Sequence, residues 1–295
     1  MDLQSLSQFF FSGLSTGCIY ALVAVGYVLC FNATGVINFA QGEYVMVGAL
    51  VAALAHAHGL PLTLAIAAAI AAGALVGFAQ ERLTLAPIRT SPDFIRVTVT
   101  FGFAVVLRGL AMVIAGADPL PLPGFSGDDV FELLGALLAW QIAWVWALTV
   151  VVLAIVFYFL MRTRWGRAVR GCSENLMAAR LMGIAPERVA LIVLSVGGAL
   201  AALGGAVVAP ITLASWTLGI DFGLKGFIAA LLAGFRSPLK AVAVALSVGV
   251  IETAAAGLVS SGARDIIVYG LLLAYLLISS GVSKSKRQQL TMIGH

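Results

Sequence analysis

Apolar residues run through this chain in long stretches that lack the two-residue alternation of strands. No Asp, Glu, Lys or Arg occurs in residues 3–42, 44–80, 133–161, 189–220 or 266–283. Each stretch reaches or exceeds the roughly 18 to 20 residues that cross a bilayer as a helix. Lipid offers the backbone no hydrogen-bond partner, so only helices or closed barrels cross it, and unalternating runs exclude the barrel. Gly, Pro and polar punctuation divides the chain into segments at 9–30, 38–56, 62–80, 97–116, 137–161, 189–209, 222–235, 240–258 and 265–283. Residues 222–235 are short for a complete crossing. The pattern predicts an all-α, polytopic integral membrane protein of about eight to nine transmembrane helices, one domain over residues 1–295.

Composition agrees: 61% of the 295 residues are hydrophobic and 10% charged, where a soluble domain carries about a quarter charged. The net charge of +4 points to nucleic acid only until the basic residues are placed. Arg82, Arg89 and Arg96 share one connection; Arg162, Arg164, Arg167, Arg170, Arg180 and Arg188 share a second. Arg236 and Lys240 lie in a third, and Lys284, Lys286 and Arg287 at the C-terminus. The alternate connections hold Asp118, Asp128, Asp129, Glu132 and Asp221. Basic residues collect on the cytoplasmic side, so the N-terminus is expected outside and the C-terminus in the cytoplasm. No Lys or Arg precedes Arg82, so the first apolar segment lacks a signal peptide's basic start and is expected to remain a membrane helix.

Two connections are long. The outer one, 117–132, is acidic and rich in Pro and Gly, which predicts an irregular loop, and Trp140, Trp144 and Trp146 beyond it suit the outer membrane interface. In the inner one, 162–188, Ser173 is expected to cap a helix of about two and a half turns, with Glu174 and Asn175 in its first turn. Gly183 closes this helix ahead of Pro186, and Met177, Leu181 and Ile184 recur at helical spacing. Such a helix either lies on the membrane or enters a groove of another protein. Ala178, Ala179 and Gly183 make it small and smooth, which favours the groove.

Ionisable groups at membrane depth are costly and face protein or water. Glu43 stands alone between two uncharged stretches. Residues 32–35 read as a break, and Asn38 with Gln41 has the spacing of a capping box, so a helix starting at Asn38 would hold Glu43 in its second turn. Helix-end stabilisation by the dipole explains Glu43 in one reading. In the other, Asn38, Gln41 and Glu43 form a polar path or gate, with Gly42 permitting close helix approach. Glu252 is the second acid at depth; Arg108 and Lys225 are candidate bases, with a pair such as Glu252–Arg108 lowering the insertion cost. Gly197, Gly198, Gly204 and Gly205 suit close helix packing.

No nucleophile–base set marks a catalytic site, and neither His56, His58 and His295 nor Cys18, Cys30 and Cys172 has metal-ligand spacing. No Gly-rich phosphate loop ends in Lys-Ser/Thr, so any ATP-driven step needs another polypeptide.

Two stretches carry a family resemblance: 13–22 (GLSTGCIYAL) followed by 35–43 (GVINFAQGE), and 167–184 with its Ala178-Ala179-Arg180-Leu181-Met182-Gly183 core. Together with Pro210 and 225–230, they resemble LivH-type permeases of branched-chain amino acid ABC importers. The resemblance implies one transmembrane permease domain in the bacterial inner membrane, transporting branched-chain or other hydrophobic amino acids and binding no cofactor itself. ATP and Mg are used by two partner ATPase subunits. A second permease of LivM type, a periplasmic solute-binding protein and membrane lipid complete the partners, with no nucleic acid. Asn38, Gln41, Gly42, Glu43 and Glu252 become the candidate translocation path or gate. Glu174, Asn175, Ala178, Ala179, Arg180, Leu181, Met182 and Gly183 become the ATPase-coupling helix.

The chain departs from the family pattern at Ala233–Ser237, where a Gly-rich stretch is usual, and at Gln41, where many members carry His. Urea and short-amide permeases share this architecture and are the alternative. A secondary transporter would instead bind a proton or sodium ion at Glu43 and Glu252. Nothing resembles a repeated channel filter.

Overall fold

A computed structural model describes residues 3–258, 262, 265–275 and 277. The helices are α1 (Leu3–Thr34), α2 (Glu43–Ala57), α3 (Leu62–Gln80), α4 (Asp93–Ala115), α5 (Trp140–Arg162), α6 (Arg164–Glu174), α7 (Leu176–Leu181), α8 (Pro186–Thr212), α9 (Leu218–Leu232) and α10 (Pro238–Leu258), with a short α11 (Asp265–Tyr275). Among the described residues seven helical stretches are long and apolar enough to cross a membrane: Gln4–Thr34, Phe39–Ala57, Leu62–Leu85, Asp93–Ala115, Trp140–Arg162, Pro186–Thr212 and Pro238–Leu258. The two remaining expected segments correspond to the 15-residue α9 and to α11, beyond which the expected span to residue 283 lies largely outside the described residues, as do Lys284, Lys286 and Arg287.

The interior is built from α1, α2 and α8, while α3, α4 and α5 turn apolar side chains such as Leu75, Val113 and Ile155 outward. Helices in lipid gain nothing from apolar burial alone and associate by close packing through small residues. Thus α1 meets α10 through Gly13, Gly17 and Gly249; a Cβ at Gly17 would lie 2.8 Å from the Leu246 Cα. α3 meets α8 at Gly73, Gly77 and Gly198, where an added Cβ would strike the facing backbone.

Loop 117–132 is less irregular than its composition predicts. It holds strand β1 (Phe125–Asp128), and β2 (Val130–Leu133) pairs antiparallel with β3 (Ala136–Ala139). The hairpin turns at Leu134 and Gly135, both at positive φ, the geometry of a tight two-residue connection. Ala136 and Leu138 pack on Phe11 with Phe131 and Trp146 at the margin, so the helix expected from residue 137 starts instead at Trp140. Trp140 and Trp144 are exposed beside this hairpin, whereas Trp146 turns inward and donates to Ser15 Oγ at 3.0 Å.

The basic connections gather at one end of the bundle. Arg96 donates to the Thr34 carbonyl at 3.2 Å, Asn32 to the Arg236 carbonyl at 3.4 Å, and one cavity brings Thr34, Arg89, Arg96 and Arg180 together. At the other end Leu120 and Ala214 bond reciprocally.

Candidate functional site: a helix that begins inside the membrane

After α1 the chain turns at Gly35, which takes the left-handed conformation at φ +71°. It then climbs back into the bundle as irregular backbone. Asn38 is extended and its Oδ1 accepts from Ala40 N at 3.1 Å, a single 3₁₀ turn covers Phe39–Gln41, and α2 starts at Glu43. Two helices give the depth. Gln41 bonds α8 at Gly197 and Glu43 bonds α4 at Arg108. At 1.5 Å per residue these lie about 16 Å and about 22 Å from the basic ends of those helices, part-way along helices long enough to cross a hydrocarbon core about 30 Å thick. Non-helical backbone is tolerated at such depth only when enclosed by protein or lining an aqueous path.

The local geometry corrects two expectations. Asn38 does cap a helical turn, but it is the 3₁₀ turn Phe39–Gln41; the α-helix starts at Glu43, which occupies its first turn and not the second. Nor does Gln41 fold back on Asn38 as in a capping box: its Nε2 donates to the Gly197 carbonyl at 2.9 Å. The glycine at position 26 makes room for this, since a Cβ there would meet the Gln41 amide.

Asn38 and Gln80 form a reciprocal amide pair, with Gln80 Nε2 donating to Asn38 Oδ1 at 2.7 Å and Asn38 Nδ2 donating to Gln80 Oε1 at 3.0 Å. The Tyr44 hydroxyl also donates to Gln80 Oε1. Glu43 is 3% exposed; its Oε1 accepts from Arg108, while Oε2 has no hydrogen-bond partner among the described residues. That oxygen faces Gly219 of α9, and Gly42 lies against Gly223 one turn on. The Arg108 side chain keeps 28% of its surface exposed, at a depth where acyl chains are an unsuitable neighbour for a guanidinium.

Arg108 is therefore the partner of Glu43 and not of Glu252. Glu252 is held elsewhere, by Lys225 Nζ at 2.7 Å and the Tyr20 hydroxyl at 2.7 Å, and Lys225 also meets Asp265 at 3.0 Å. Asn38, Gln41, Gly42 and Glu43 thus form one cluster, with Glu252 in another. Gln80 and Tyr44 belong to the first cluster but were not singled out in the sequence. Their one signal is that Gln80 closes an uncharged stretch immediately before Glu81.

The inner connection also differs from expectation. Ser173 does not cap a helix; its Oγ donates to the Arg170 carbonyl within the last turn of α6, and Glu174 ends that helix. Asn175 is the cap, its Oδ1 accepting from Ala178 N at 3.0 Å, because its extended backbone breaks the helical path there. α7 is accordingly six residues long, shorter than predicted. Gly183 does close the turn, at φ +80°. Ala179 is buried, while Leu181 and Met182 are 83% and 82% exposed.

A family model described as branched-chain amino acid transport system / permease component matches residues 9–277. The chain belongs to this family. This permease is 30% identical to the high-affinity branched-chain amino acid transport system permease protein LivH of Salmonella typhimurium, an alignment covering 92% of each chain. It is also 30% identical to the corresponding protein BraD of Pseudomonas aeruginosa, over 90% of this chain and 91% of BraD. A solved structure entitled PsaBC from Streptococcus pneumoniae in complex with Fab shares the fold at a TM-score of 0.50, with 14% identity over 92% of this chain and 90% of that one. The permease is thus a multi-pass membrane protein of a transporter family, and its polar break lies within the matched region.

Proposed function

We propose that this chain is the membrane subunit of an ATP-driven importer of branched-chain or other hydrophobic amino acids, resident in the bacterial inner membrane. The basic end faces the cytoplasm, as the distribution of Arg and Lys indicates. A second permease of LivM type, two ATPase subunits and a periplasmic solute-binding protein complete the complex, and ATP and Mg are used by the ATPases. The observation that carries the reading of the path is α2 starting within the helix bundle, after an irregular turn, with a buried carboxylate: Glu43 has one oxygen on Arg108 and the other without a partner among the described residues. Asn38, Gln41, Gly42 and Glu43 would form the gate, passing a zwitterionic substrate without holding it tightly. Glu252, bonded to Lys225 and Tyr20, braces α1, α9 and α10.

Coupling is assigned to α7 and its flanks, from Glu174 to Gly183. A six-residue helix with exposed Leu181 and Met182 at a polar end suits a groove in a partner protein. ATPase closure would push α7, and rigid-body motion of the helices would switch access from outside to inside. The test is co-expression with candidate partner subunits, reconstitution into proteoliposomes, and uptake of labelled leucine with and without internal ATP. Uptake requiring ATP supports the reading; uptake indifferent to ATP contradicts it.

A further inference from the structure

A cavity of about 320 Å³ separates α7 from the ends of α1 and α3 and the start of α8, lined by Thr34, Glu81, Leu85, Arg89, Arg180 and Glu187 among others. Charges of alternating sign cross it. Arg180 donates to Glu187 Oε1 at 2.8 Å, the same oxygen lies 3.8 Å from Arg89 Nη1, and Arg89 Nη2 donates to Glu81. Glu81 is 1% exposed and opens a π-helical turn, Glu81–Leu85, that continues α3; single π turns concentrate at functional positions. The residue before it is Gln80, which holds Asn38 and Tyr44 at the break preceding Glu43. Since Arg180, Glu187, Arg89 and Glu81 already engage one another, the row reads as a linkage and not as a ligand site. Elsewhere α3 and α8 touch backbone to backbone at Gly73, Gly77 and Gly198, so a push on the start of α8 is carried into α3.

We propose that Glu187, Arg89 and Glu81 are positioning residues that transmit displacement of α7 to Gln80 and so to the Asn38–Glu43 gate. This inference rests on the importer reading above. Glu187 is 43% exposed at the side chain and exposed pairs contribute little to stability, so E187Q leaves a folded protein in which coupling alone is read. R89Q leaves the buried Glu81 carboxylate without its guanidinium and is destabilising, so its uptake is read per ATP hydrolysed by the complexes that assemble, beside the charge-retaining R89K.

The experiment compares R89Q, E187Q and the conservative R89K in the reconstituted complex, with R188Q as a control one residue outside the row. ATP hydrolysis, uptake and co-purification of the ATPase subunits are measured together. E187Q is expected to assemble and hydrolyse ATP normally, and R89Q to do so in the fraction that folds, while uptake per ATP falls at least about fivefold in both, the lower range of measured site-to-site coupling. R89K should recover part of the loss, and R188Q should stay at the wild-type ratio. Unchanged uptake per ATP in both R89Q and E187Q overturns the linkage, and so does loss of ATPase co-purification in E187Q, which would make Glu187 part of the docking surface. A wild-type complex without ATP-driven uptake would instead overturn the importer reading.

Discussion

Substituting the two members of the Glu43–Arg108 pair separately and together distinguishes a path residue from a structural one. R108M removes the guanidinium from a carboxylate that is 3% exposed. Stranding one member of a buried ion pair costs roughly 3–5 kcal/mol, and this burial places the variant at the upper end. E43Q strands Arg108, but its side chain is 28% exposed and retains some solvent, so the loss should be smaller, about 1–3 kcal/mol. The double variant E43Q/R108M carries no stranded charge. It should be more stable than R108M by about 2 kcal/mol or more, roughly a thirtyfold change in the folded-to-unfolded ratio. Equilibrium unfolding of the purified proteins in mild detergent reads these differences, and uptake in proteoliposomes reads function. The account predicts that stability returns in the double variant while uptake per assembled complex stays near background. Wild-type uptake by E43Q/R108M would refute the path role and leave the pair purely structural; absence of any stability coupling would refute the pair itself.

Other variants test the surrounding structure. K225M, which takes the ammonium away from the fully buried Glu252 carboxylate, should lower stability by about 3–5 kcal/mol; E252Q should cost less because Lys225 keeps the largely exposed Asp265, and thermal melts in detergent order the two. G223A places a Cβ 2.7 Å from the Gly42 Cα and should cost about 1–3 kcal/mol by overpacking, whereas G102A, with nothing within 4 Å of the new Cβ, should gain up to about 1 kcal/mol from helix propensity. L181D/M182D should leave expression and melting temperature unchanged and abolish co-purification of the ATPase subunits.

The helices were legible because span length and charge avoidance are local properties: the uncharged stretch 189–220 contains most of α8, and 3–42 contains α1 together with the break. The identity of the unusual residues was legible for the same reason, since a lone acid such as Glu43 in an apolar chain has few explanations. Partners were not legible. Arg108 lies 65 residues from Glu43 and Gln80 lies 42 from Asn38, and nothing in the local pattern distinguishes Arg108 from Lys225 as the base for a given acid. Local competition explains the misplaced helix starts. Ser173 and Asn175 are both good caps, and Asn175 prevails because its backbone is extended while Ser173 remains inside α6. Gln41 matches the capping-box spacing, yet its amide turns to α8, where Nε2 donates to the Gly197 carbonyl, and does not present Oε1 to the Asn38 N–H. The hairpin 130–139 was hidden by Pro and Gly upstream of it, although Val130 to Leu133 alternates in burial as a half-exposed strand does.

The central claim is that this permease moves a hydrophobic amino acid across the membrane at the expense of ATP hydrolysed by other subunits. The direct measurement is accumulation of labelled leucine in proteoliposomes that hold this chain, the second permease and the ATPase subunits, with the solute-binding protein supplied on the side opposite ATP. The account predicts accumulation that requires ATP and the binding protein and disappears in E43Q/R108M. Accumulation driven by a proton or sodium gradient without nucleotide, or ATP-driven accumulation of urea with leucine excluded, would contradict it.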